Sequence, residues 1–321
     1  MVVPQEIRVG VVGLGPHFKE ILFPVLMAQN NVILSAFCDN DSNAREWVSS
    51  RFPQAVVVED AVSSDFWDKI DCVVCCSWPK VHQIVLQQAV KLKKHCFCEK
   101  PAALEAAVLD DVIGEGMPHD LVIRVGHVFR YAGGSARFIE LLKEEKLMCL
   151  EITYIGSGPR GKRWNLGSKK AFALTHLTHA IDFVTAIAGN VAKVKNAFWS
   201  REGESESLTA VFKNERCPMT CLFATNAANA FTCKATAVLE SGGLVTLDSL
   251  RSVTVTGLAT TTKRSDSVWQ ERDLGTTILN DGYVDEIRDF FSEIRGVGQC
   301  QLPNLIEARH VLSIIDQVFV K

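Results

Sequence analysis

Hydrophobic residues in about the first 125 positions form short continuous runs, separated by stretches with helical periodicity. The runs, rich in β-branched residues, predict strands at 7–12, 32–38, 55–58, 71–76, 96–98 and 121–125. The intervening periodicity predicts helices at 19–29, 44–51, 81–93 and 104–114. Strands without polar alternation are typical of a parallel sheet covered by helices on both faces. The alternation of strand and helix therefore predicts a doubly wound Rossmann sheet.

After Gly126 the pattern changes to consecutive strand-like runs with few helices between them. Helices are predicted at 135–146 and 174–188, on either side of a strand and a basic loop at 157–170. Strands are predicted at 149–156, 191–199, 207–212, 219–225, 232–240, 244–247, 253–256 and 268–272. Turn residues between these strands favour a largely antiparallel sheet. Two helices close the chain, and Asn304 and Glu307 form a capping-box-like start for the last one.

These patterns predict an α/β protein with two domains. A Rossmann dinucleotide-binding domain is expected at 1–126. An α+β domain with a large, mainly antiparallel open sheet is expected at 127–321. A chain of 321 residues is too long for one ordinary hydrophobic core, which agrees with this division.

The composition excludes several classes of protein. The chain is 47% hydrophobic and 22% charged with a net charge of -3, and no cluster of Lys and Arg suggests a nucleic-acid partner. No apolar run reaches the roughly 18 residues that span a bilayer, so no membrane association is expected. No basic segment with a long apolar stretch precedes the first strand, so we expect no signal peptide and a cytoplasmic location.

The eleven cysteines raise the question of zinc or disulfides. Cys72, Cys75 and Cys76 fall in one predicted strand, and Cys96 and Cys98 in another. Zinc sites prefer CxxC pairs on turns with a second pair to complete a tetrahedron, and no such second pair is present. We therefore expect reduced cysteines that act as small apolar residues, and no metal site.

The first chemical motif is Gly13-Leu14-Gly15, directly after the first strand and before a helix. Gly13 permits a tight turn, and Gly15 lets the backbone approach a pyrophosphate at the helix N-terminus. The third position of this fingerprint holds Phe18, where Gly or Ala normally permits close helix–strand packing. Pro16, His17 and Phe18 are assigned to the cofactor site together with the two glycines.

An acidic residue, Asp39, ends the second predicted strand. A carboxylate there accepts hydrogen bonds from the adenosine ribose hydroxyls and repels a 2′-phosphate. No arginine follows it to bind such a phosphate, so NAD is favoured and NADP is the alternative cofactor. The competing interpretation of Asp39 is a turn residue before a helix, since Asp41 and Ser42 are equally good caps.

A further group of motifs resembles the Gfo/Idh/MocA family, which comprises glucose-fructose oxidoreductase, inositol dehydrogenase and their relatives. The resemblance extends over nearly the whole chain. It rests on Glu99-Lys100-Pro101 after the fifth strand, the segments 70–82 and 125–130, the His179–Asp182 pair, and Gly282-Tyr283. It implies an oxidoreductase that transfers hydride between a nicotinamide and a polar small molecule.

The resemblance also implies roles for individual residues. Lys100 would contact the nicotinamide ribose and the reacting oxygen of the substrate, and His179 would donate or accept the proton. Further cofactor contacts are Ser77, Trp78, Pro79, His82, Glu99, Arg163 and Trp164. Further substrate contacts are His127, Arg163, Thr175, His176 and Asp182.

Two departures from the family pattern concern the proton-transfer residues. Thr175 stands where the family has an Asp four residues before the His, which leaves proton transfer to Lys100, a histidine or a substrate group. His176 adds an imidazole one turn before His179, and a core residue is an equally weighted interpretation of it. The spacing of His176, His179 and Asp182 also fits a metal, but the resemblance supplies a non-metal role and no fourth ligand is evident.

Two functions follow from these observations. The first is an NAD(P)-dependent oxidoreductase acting on a carbinol or carbonyl carbon of a sugar, cyclitol or related compound, with reduction of an imine as a variant. The second is a non-catalytic dinucleotide-binding regulator, which the missing Asp at position 175 keeps open. The resemblance further implies a homodimer or homotetramer formed through the C-terminal sheet.

Overall fold

A computed structural model describes residues 6–114, 120–157, 160–260, 263–270 and 281–320. The chain forms two compact units. The first is built from Met1–His127 and Tyr283–Arg309, and the second from Val128–Gly282 and His310–Lys321.

The first unit contains a six-stranded parallel sheet. Its strands, in the spatial order β3-β2-β1-β4-β5-β6, are β1 (Ile7–Val12), β2 (Val32–Cys38), β3 (Val56–Val58), β4 (Cys72–Cys75), β5 (His95–Glu99) and β6 (Ile123–Gly126). The helices are α1 (Phe23–Met27), α2 (Ser42–Ser49), α3 (Ser64–Trp67), α4 (Pro79–Leu92) and α5 (Ala106–Gly114). The order reverses between β1 and β4, which is the doubly wound topology that the periodicity predicts. The predicted fold class is thereby confirmed.

The topology places the functional motifs at one edge of this sheet. All five strand pairings are parallel, so the carboxyl ends of the strands lie together. In doubly wound sheets, ligands bind outside these ends at the point where the strand order reverses. The segments that follow β1, β2, β4 and β5 therefore meet at this edge.

The second unit contains an eight-stranded sheet in the order β14-β13-β12-β11-β7-β10-β9-β8. The strands are β7 (Leu147–Ile155), β8 (Val191–Glu202), β9 (Ser205–Asn214), β10 (Thr220–Thr225), β11 (Thr232–Leu239), β12 (Leu244–Asp248), β13 (Ser252–Thr260) and β14 (Lys263–Gln270). Every pairing is antiparallel except that between β7 and β10. The mainly antiparallel open sheet is confirmed; the end of the predicted strand at 268–272 lies outside the described residues.

The two faces of this sheet differ in exposure. Residues in the middle strands alternate between buried and more exposed positions, as expected when one face covers a core. Phe198, Thr209 and Phe223 occupy one cross-strand row on the exposed face, and Phe198 is 61% exposed. The open face thus carries large apolar side chains.

The helices of the second unit are α6 (Gly133–Leu142), α7 (Ser168–Phe172) and α8 (Thr178–Ala188). A π-helical turn at Ala173–Leu177 joins α7 to α8 in one helical run. By length and composition the run Ser168–Ala188 could cross a membrane, a candidate that the sequence analysis did not identify. However, 78% of its apolar window is buried, so the packing is that of a core helix.

Two helices close the chain, α9 (Tyr283–Ile294) and α10 (Leu305–Val320). Helix α9 belongs to the first unit: Phe290 packs on Phe97 of β5 with ring centroids 5.7 Å apart, and Arg124 of β6 pairs with Glu293. The sequence analysis expects everything after residue 126 in the second domain. A change in the hydrophobic pattern shows where the chain leaves the first domain. The return of α9 to that domain depends on long-range contacts, which hydrophobic periodicity does not reveal.

The predicted capping box of α10 forms. Asn304 Oδ1 accepts hydrogen bonds from the backbone N–H groups of Ile306 and Glu307, and Glu307 Oε2 accepts one from the Asn304 N–H. These contacts satisfy donors that a helix start leaves without partners.

We predict that Asn304→Ala lowers the free energy of unfolding by about 1 kcal/mol, because two helix N–H groups lose their acceptor. Asn304→Ser retains most of the stability, since a hydroxyl can also cap. Urea denaturation of the three proteins measures the effect. Equal losses for Ala and Ser would contradict the capping role.

Candidate functional site

The glycine loop that follows β1 has the backbone geometry of a dinucleotide turn. Gly13 has φ +92°, and a Cβ on it would lie 2.8 Å from the backbone nitrogen of Ser77. Gly15 is exposed, and a Cβ on it would meet no atom within 4 Å. Gly13 is therefore required by the protein itself, whereas the space at Gly15 is open to a ligand.

Asp39, which follows β2, holds this loop in place. Its Oδ2 accepts a hydrogen bond from the backbone N–H of Leu14 at 2.6 Å, and its Oδ1 accepts one from Asp41 N–H at 2.9 Å. The side chain is half-buried, and each oxygen has a second lone pair for another donor. The carboxylate can thus fix the loop and still accept a hydroxyl.

Contrary to the sequence analysis, an arginine does lie beside Asp39. Arg45 on α2 donates to the Asp39 carbonyl oxygen at 2.8 Å and forms an ion pair with Glu59 at 3.3 Å. The turn between β2 and α2 brings the two residues together, which spacing in the sequence did not show. Because Arg45 is engaged by a carbonyl and a carboxylate, the Asp39 side chain remains the group at the end of β2.

The side chain of Phe18 is turned away from the predicted cofactor site. The helical run 16–27 starts at Pro16 and contains a π-helical turn at Phe18–Leu22. Phe18 is fully buried in an aromatic cluster with Phe23, Phe37 and Trp47. The large side chain therefore points away from the loop into the core and leaves the cofactor side open. Pro16 is exposed on that side.

Residues after β4 divide into exposed and structural groups. Trp78 is 58% exposed, Ser77 is half-buried, and Pro79 is buried as the first residue of α4. His82 is also buried, and its Nδ1 bonds the carbonyl oxygen of Pro101 at 2.8 Å. Burial lowers the pKa of His82, which favours the neutral imidazole. The expected cofactor contact of His82 is thus replaced by a role in holding the turn after Lys100.

The carboxyl end of β5 carries a buried carboxylate that contacts a partly exposed histidine. Glu99 lies 3.0 Å from Nε2 of His17, which stands at the start of the helix after the glycine loop. Its other oxygen accepts the backbone N–H of Lys100 at 3.2 Å. Burial tends to raise the pKa of Glu99, but His17 and Lys100 outweigh it and hold the pKa below its ordinary value. A charged Glu99 therefore links β5 to the glycine loop.

Lys100 follows Glu99 directly and is half-buried, and a cis peptide bond joins it to Pro101. Gly126 of β6 lies opposite Glu99 in the sheet register. A Cβ on Gly126 would come within 2.7 Å of the Phe97 ring and 3.3 Å of the Glu99 carboxyl carbon. The absence of a side chain at Gly126 makes room for Glu99.

The second unit brings His176 and His179 to one aromatic cluster. The His179 ring stacks on Phe129 with centroids 4.6 Å apart and planes 13° apart. Nδ1 of His176 lies 3.1 Å from the hydroxyl of Tyr154, and Phe129 and Tyr154 are 6.1 Å apart. His176 is buried and His179 is half-buried, so His179 is the better placed of the two for chemistry.

Asp182 is a structural residue in this unit. It is 0% exposed and forms two hydrogen bonds with Arg130, from Nε at 3.0 Å and from Nη2 at 2.7 Å. The predicted substrate contact is thus replaced by a buried ion pair, whose partner lies 52 residues away. This pairing also occupies Asp182 as the third candidate metal ligand, beside His176 and His179.

The remaining predicted residues lie as follows. Thr175 is half-buried in the π-helical turn that also carries His176, and π-helical turns occur frequently at functional sites. His127 is buried. Arg163 is exposed, with its guanidinium 4.6 Å from the ring centre of its neighbour Trp164.

Sequence reasoning assigned no role to three residues near these groups. Tyr154 binds His176, and burial raises the pKa of its hydroxyl, so it stays protonated. Tyr283 of α9 packs against His17 with centroids 6.0 Å apart. Glu286, one turn further, is fully buried. A signal for Glu286 was present: it occupies the apolar stripe of an otherwise amphipathic helix.

Comparison with known proteins defines the class. Residues 7–127 match the profile of an oxidoreductase family with an NAD-binding Rossmann fold, GFO_IDH_MocA. Over this segment the chain is similar to the Gfo/Idh/MocA oxidoreductases, which confirms the resemblance noted in the sequence. The expected nicotinamide cofactor is confirmed at the level of this family.

Individual relatives agree with this assignment. The chain is 28% identical over 144 residues to inositol 2-dehydrogenase of Cereibacter sphaeroides, a match that covers 43% of this chain and 42% of that enzyme, less than half its length. A dehydrogenase structure from Chromobacterium violaceum superimposes with TM-score 0.87 and 23% identity over 98% of this chain and 95% of that one. Levoglucosan dehydrogenase in complex with NADH and L-sorbose does so with TM-score 0.79 and 16% identity over 98% and 96%. At these identities the structures show a common fold.

The residues present fit a nicotinamide dinucleotide. The space at Gly15 is empty of protein atoms beside the start of a helix, where N–H groups bind phosphates. The Asp39 carboxylate stands at the end of the neighbouring strand, at hydrogen-bonding reach of the same loop. Gly13, Gly15, His17 and Asp39 would hold the group, and hydride exchange at the nicotinamide is the chemistry that it supplies when bound.

Gly13→Ala and Gly15→Ala test the separate roles of the two glycines, stability for Gly13 and ligand binding for Gly15. Gly13→Ala should destabilise the protein by about 2 kcal/mol or more, because its Cβ meets backbone and its φ is unfavourable. Gly15→Ala should change stability by less than about 0.5 kcal/mol but weaken NADH binding about tenfold or more, because only a ligand occupies that space. Thermal unfolding and NADH titration distinguish the two. Equal NADH affinity in Gly15→Ala would contradict the assignment.

Asp182→Ala should lower the free energy of unfolding by about 3 kcal/mol, because it leaves the Arg130 guanidinium partly buried without its carboxylate. The matched control is Asp248→Ala, which breaks an exposed pair with Lys234 and should cost less than about 1 kcal/mol. Denaturant unfolding measures both variants. Equal effects would show that the Arg130–Asp182 pair does not contribute specially to stability.

Proposed function

We propose that this protein is an NAD(H)-dependent oxidoreductase that oxidises a CH–OH group, or reduces the corresponding carbonyl, in a sugar, cyclitol or related polar compound. The observation that carries the proposal is the Glu99-Lys100-Pro101 segment at the carboxyl end of β5, on the same sheet edge as the glycine loop and bonded to it through His17. Lys100 directly follows the residue that is bonded to this loop, which places the lysine beside the proposed cofactor.

The choice of NAD(H) over NADP(H) rests on Asp39. Its carboxylate faces the site where the adenosine ribose of a dinucleotide binds in Rossmann folds. A negative charge there accepts hydroxyl hydrogen bonds and repels a 2′-phosphate. Arg45 is held by Glu59 and the Asp39 carbonyl, so it offers less to a phosphate than an unpaired arginine would.

Within this proposal, Lys100 polarises the substrate oxygen. Its position after a charged Glu99 and before a turn fixed by His82 limits the directions that its stem can take. An ammonium that donates a hydrogen bond to the oxygen stabilises the charge that develops on it during hydride transfer.

His179 is proposed to exchange the substrate proton. Its ring plane is fixed by Phe129, and it is half-buried, so it combines a defined orientation with access. Oxidation of CH–OH releases one proton from the hydroxyl, and a neutral imidazole can accept it; reduction returns that proton. Thr175 carries no charge, so His179 acts without the carboxylate that the family pattern places there.

The class of substrate is inferred from the relatives. Inositol 2-dehydrogenase is named for a cyclitol, and levoglucosan dehydrogenase was solved with L-sorbose and NADH. Both names describe polyhydroxylated rings or chains. We extend the class, not the individual compound, to this chain.

Lys100→Met and His179→Ala test the activity. With a panel of cyclitols and sugars plus NAD, each variant should lose about 10²- to 10⁴-fold in kcat, because each removes one group from the acid–base step. His179→Ala should bind NADH within a few-fold of wild type. Full activity in both variants would contradict the roles of Lys100 and His179. A wild-type protein that binds NADH but turns over no compound of the panel would contradict the enzyme and favour a dinucleotide-binding regulator.

We also propose that the open face of the C-terminal sheet pairs with a second copy of the chain. Phe198, Phe223 and Met148 are exposed on strands of this sheet, and apolar area of that kind is commonly covered by a partner. Size-exclusion chromatography with light scattering should give a dimer or tetramer, and Phe198→Glu should shift it toward monomer. A monomeric wild type would contradict the pairing.

A further inference from the structure

Helix α9 presents an unusual residue to the end of β5. Tyr283, Glu286 and Phe290 are spaced by three and four residues, so they lie along one face of the helix. Tyr283 packs against His17, and Phe290 packs against Phe97. Glu286 therefore lies between these two contacts.

Strand β5 carries side chains at a spacing that matches this face of α9. Phe97 and Glu99 are two residues apart on β5, so their side chains point to the same face of the sheet. One helical turn of α9 and two residues of a strand cover similar distances of about 6 Å. Because Phe290 lies opposite Phe97, Glu286 comes to lie opposite Glu99.

Glu286 is 0% exposed, and neither of its carboxyl oxygens has a hydrogen-bond partner among the residues that the structure describes. A buried carboxylate without a partner costs several kcal/mol, so such a group takes up a proton instead. Burial raises the pKa of Glu286 well above its ordinary value, and the negative charge of Glu99 raises it further.

We propose that Glu286 is a positioning residue of the cofactor site: a carboxyl group that stays protonated behind Glu99 and keeps the charge of Glu99 directed to His17 and Lys100. The inference rests on the proposed NAD(H) site. When Glu286 loses its proton, a second negative charge appears behind Glu99, and the Glu99–His17 link to the glycine loop is disturbed. NADH affinity then falls, since the ligand is itself an anion.

Glu99, at the end of β5, is the charged group that acts on Glu286. Lys100 from the same strand end, His17 from the glycine loop and His82 from α4 act on Glu99, and Tyr283 shares the helix of Glu286. His17 and Lys100 are cations or potential cations that act first on Glu99. A comparison of wild type with a variant changed only at Glu286 separates its titration from theirs.

The first test measures protonation without any cofactor. Infrared difference spectra between wild type and Glu286→Gln should contain the carbonyl band of a protonated carboxylic acid at neutral pH. Asp285→Asn, the same replacement of an acid by its amide at the neighbouring exposed residue, should lack that band. Absence of the band in the Glu286→Gln difference would overturn the inference.

The second test uses thermal unfolding of the apo protein between pH 5 and pH 8. Unfolded Glu286 loses its proton near its ordinary pKa, whereas folded Glu286 keeps it. The folded state then binds more protons, and wild-type stability falls as pH rises until the folded group ionises. The Tm of Glu286→Gln relative to wild type should therefore increase by roughly 2 °C or more per pH unit. A constant difference would contradict a buried protonated carboxyl.

The third test measures the Kd for NADH as a function of pH, a dependence that a merely structural role of Glu286 would not produce. The Kd for NADH in wild type should rise on the order of tenfold through the pH range in which the infrared band disappears, the effect of one charge at about 10 Å. Glu286→Gln and Glu286→Leu should both lack this rise, and Asp285→Asn should keep it.

The outcomes separate this inference from the proposed function. If wild type binds NADH and Glu286→Gln shows the same pH dependence as wild type, the positioning role is wrong and the oxidoreductase stands. If wild type binds no dinucleotide at any pH, the proposed cofactor site fails, and the role of Glu286 in that site fails with it.

Discussion

The first unit depends on one buried charge, the carboxylate of Glu99 at the carboxyl end of β5. A buried anion is stable only with close partners. Each neighbouring element either supplies a partner for the Glu99 carboxylate or leaves space for it. The glycine loop supplies His17, the following residue supplies its N–H, and β6 has Gly126 where a side chain would collide. The Glu99 carboxylate therefore links the helix after the glycine loop to Lys100, while Asp39 holds the loop itself.

The second unit orders its histidines by different means. A π-helical turn places His176 against Tyr154, and ring stacking on Phe129 fixes His179. The helix that carries both is anchored one turn later by the fully buried Asp182 and its pair with Arg130. Of these polar residues, His179 is thus partly exposed, whereas His176 and Asp182 are buried and hold the helix in position.

Much of the fold could be predicted from sequence because buried parallel strands are continuous apolar runs, a local property. The glycine loop and the acid after β2 were likewise recognisable from spacing alone. Roles that depend on distant partners could not be predicted. His82 bonds Pro101, Asp182 bonds Arg130, and Phe18 fills a cluster with Phe37 and Trp47. For Glu286, burial depends on the return of α9 to the first unit, although its place in an apolar stripe was visible.

The central claim is that the first unit binds NAD(H) at the Gly13, Gly15 and Asp39 loop. A fluorescence titration of the wild-type protein with NADH, and separately with NADPH, tests it most directly. The account predicts saturable binding of NADH and binding of NADPH that is at least about tenfold weaker, a difference of about 1.4 kcal/mol. A preference for NADPH would contradict the role of Asp39, and binding of neither dinucleotide would contradict the cofactor site itself.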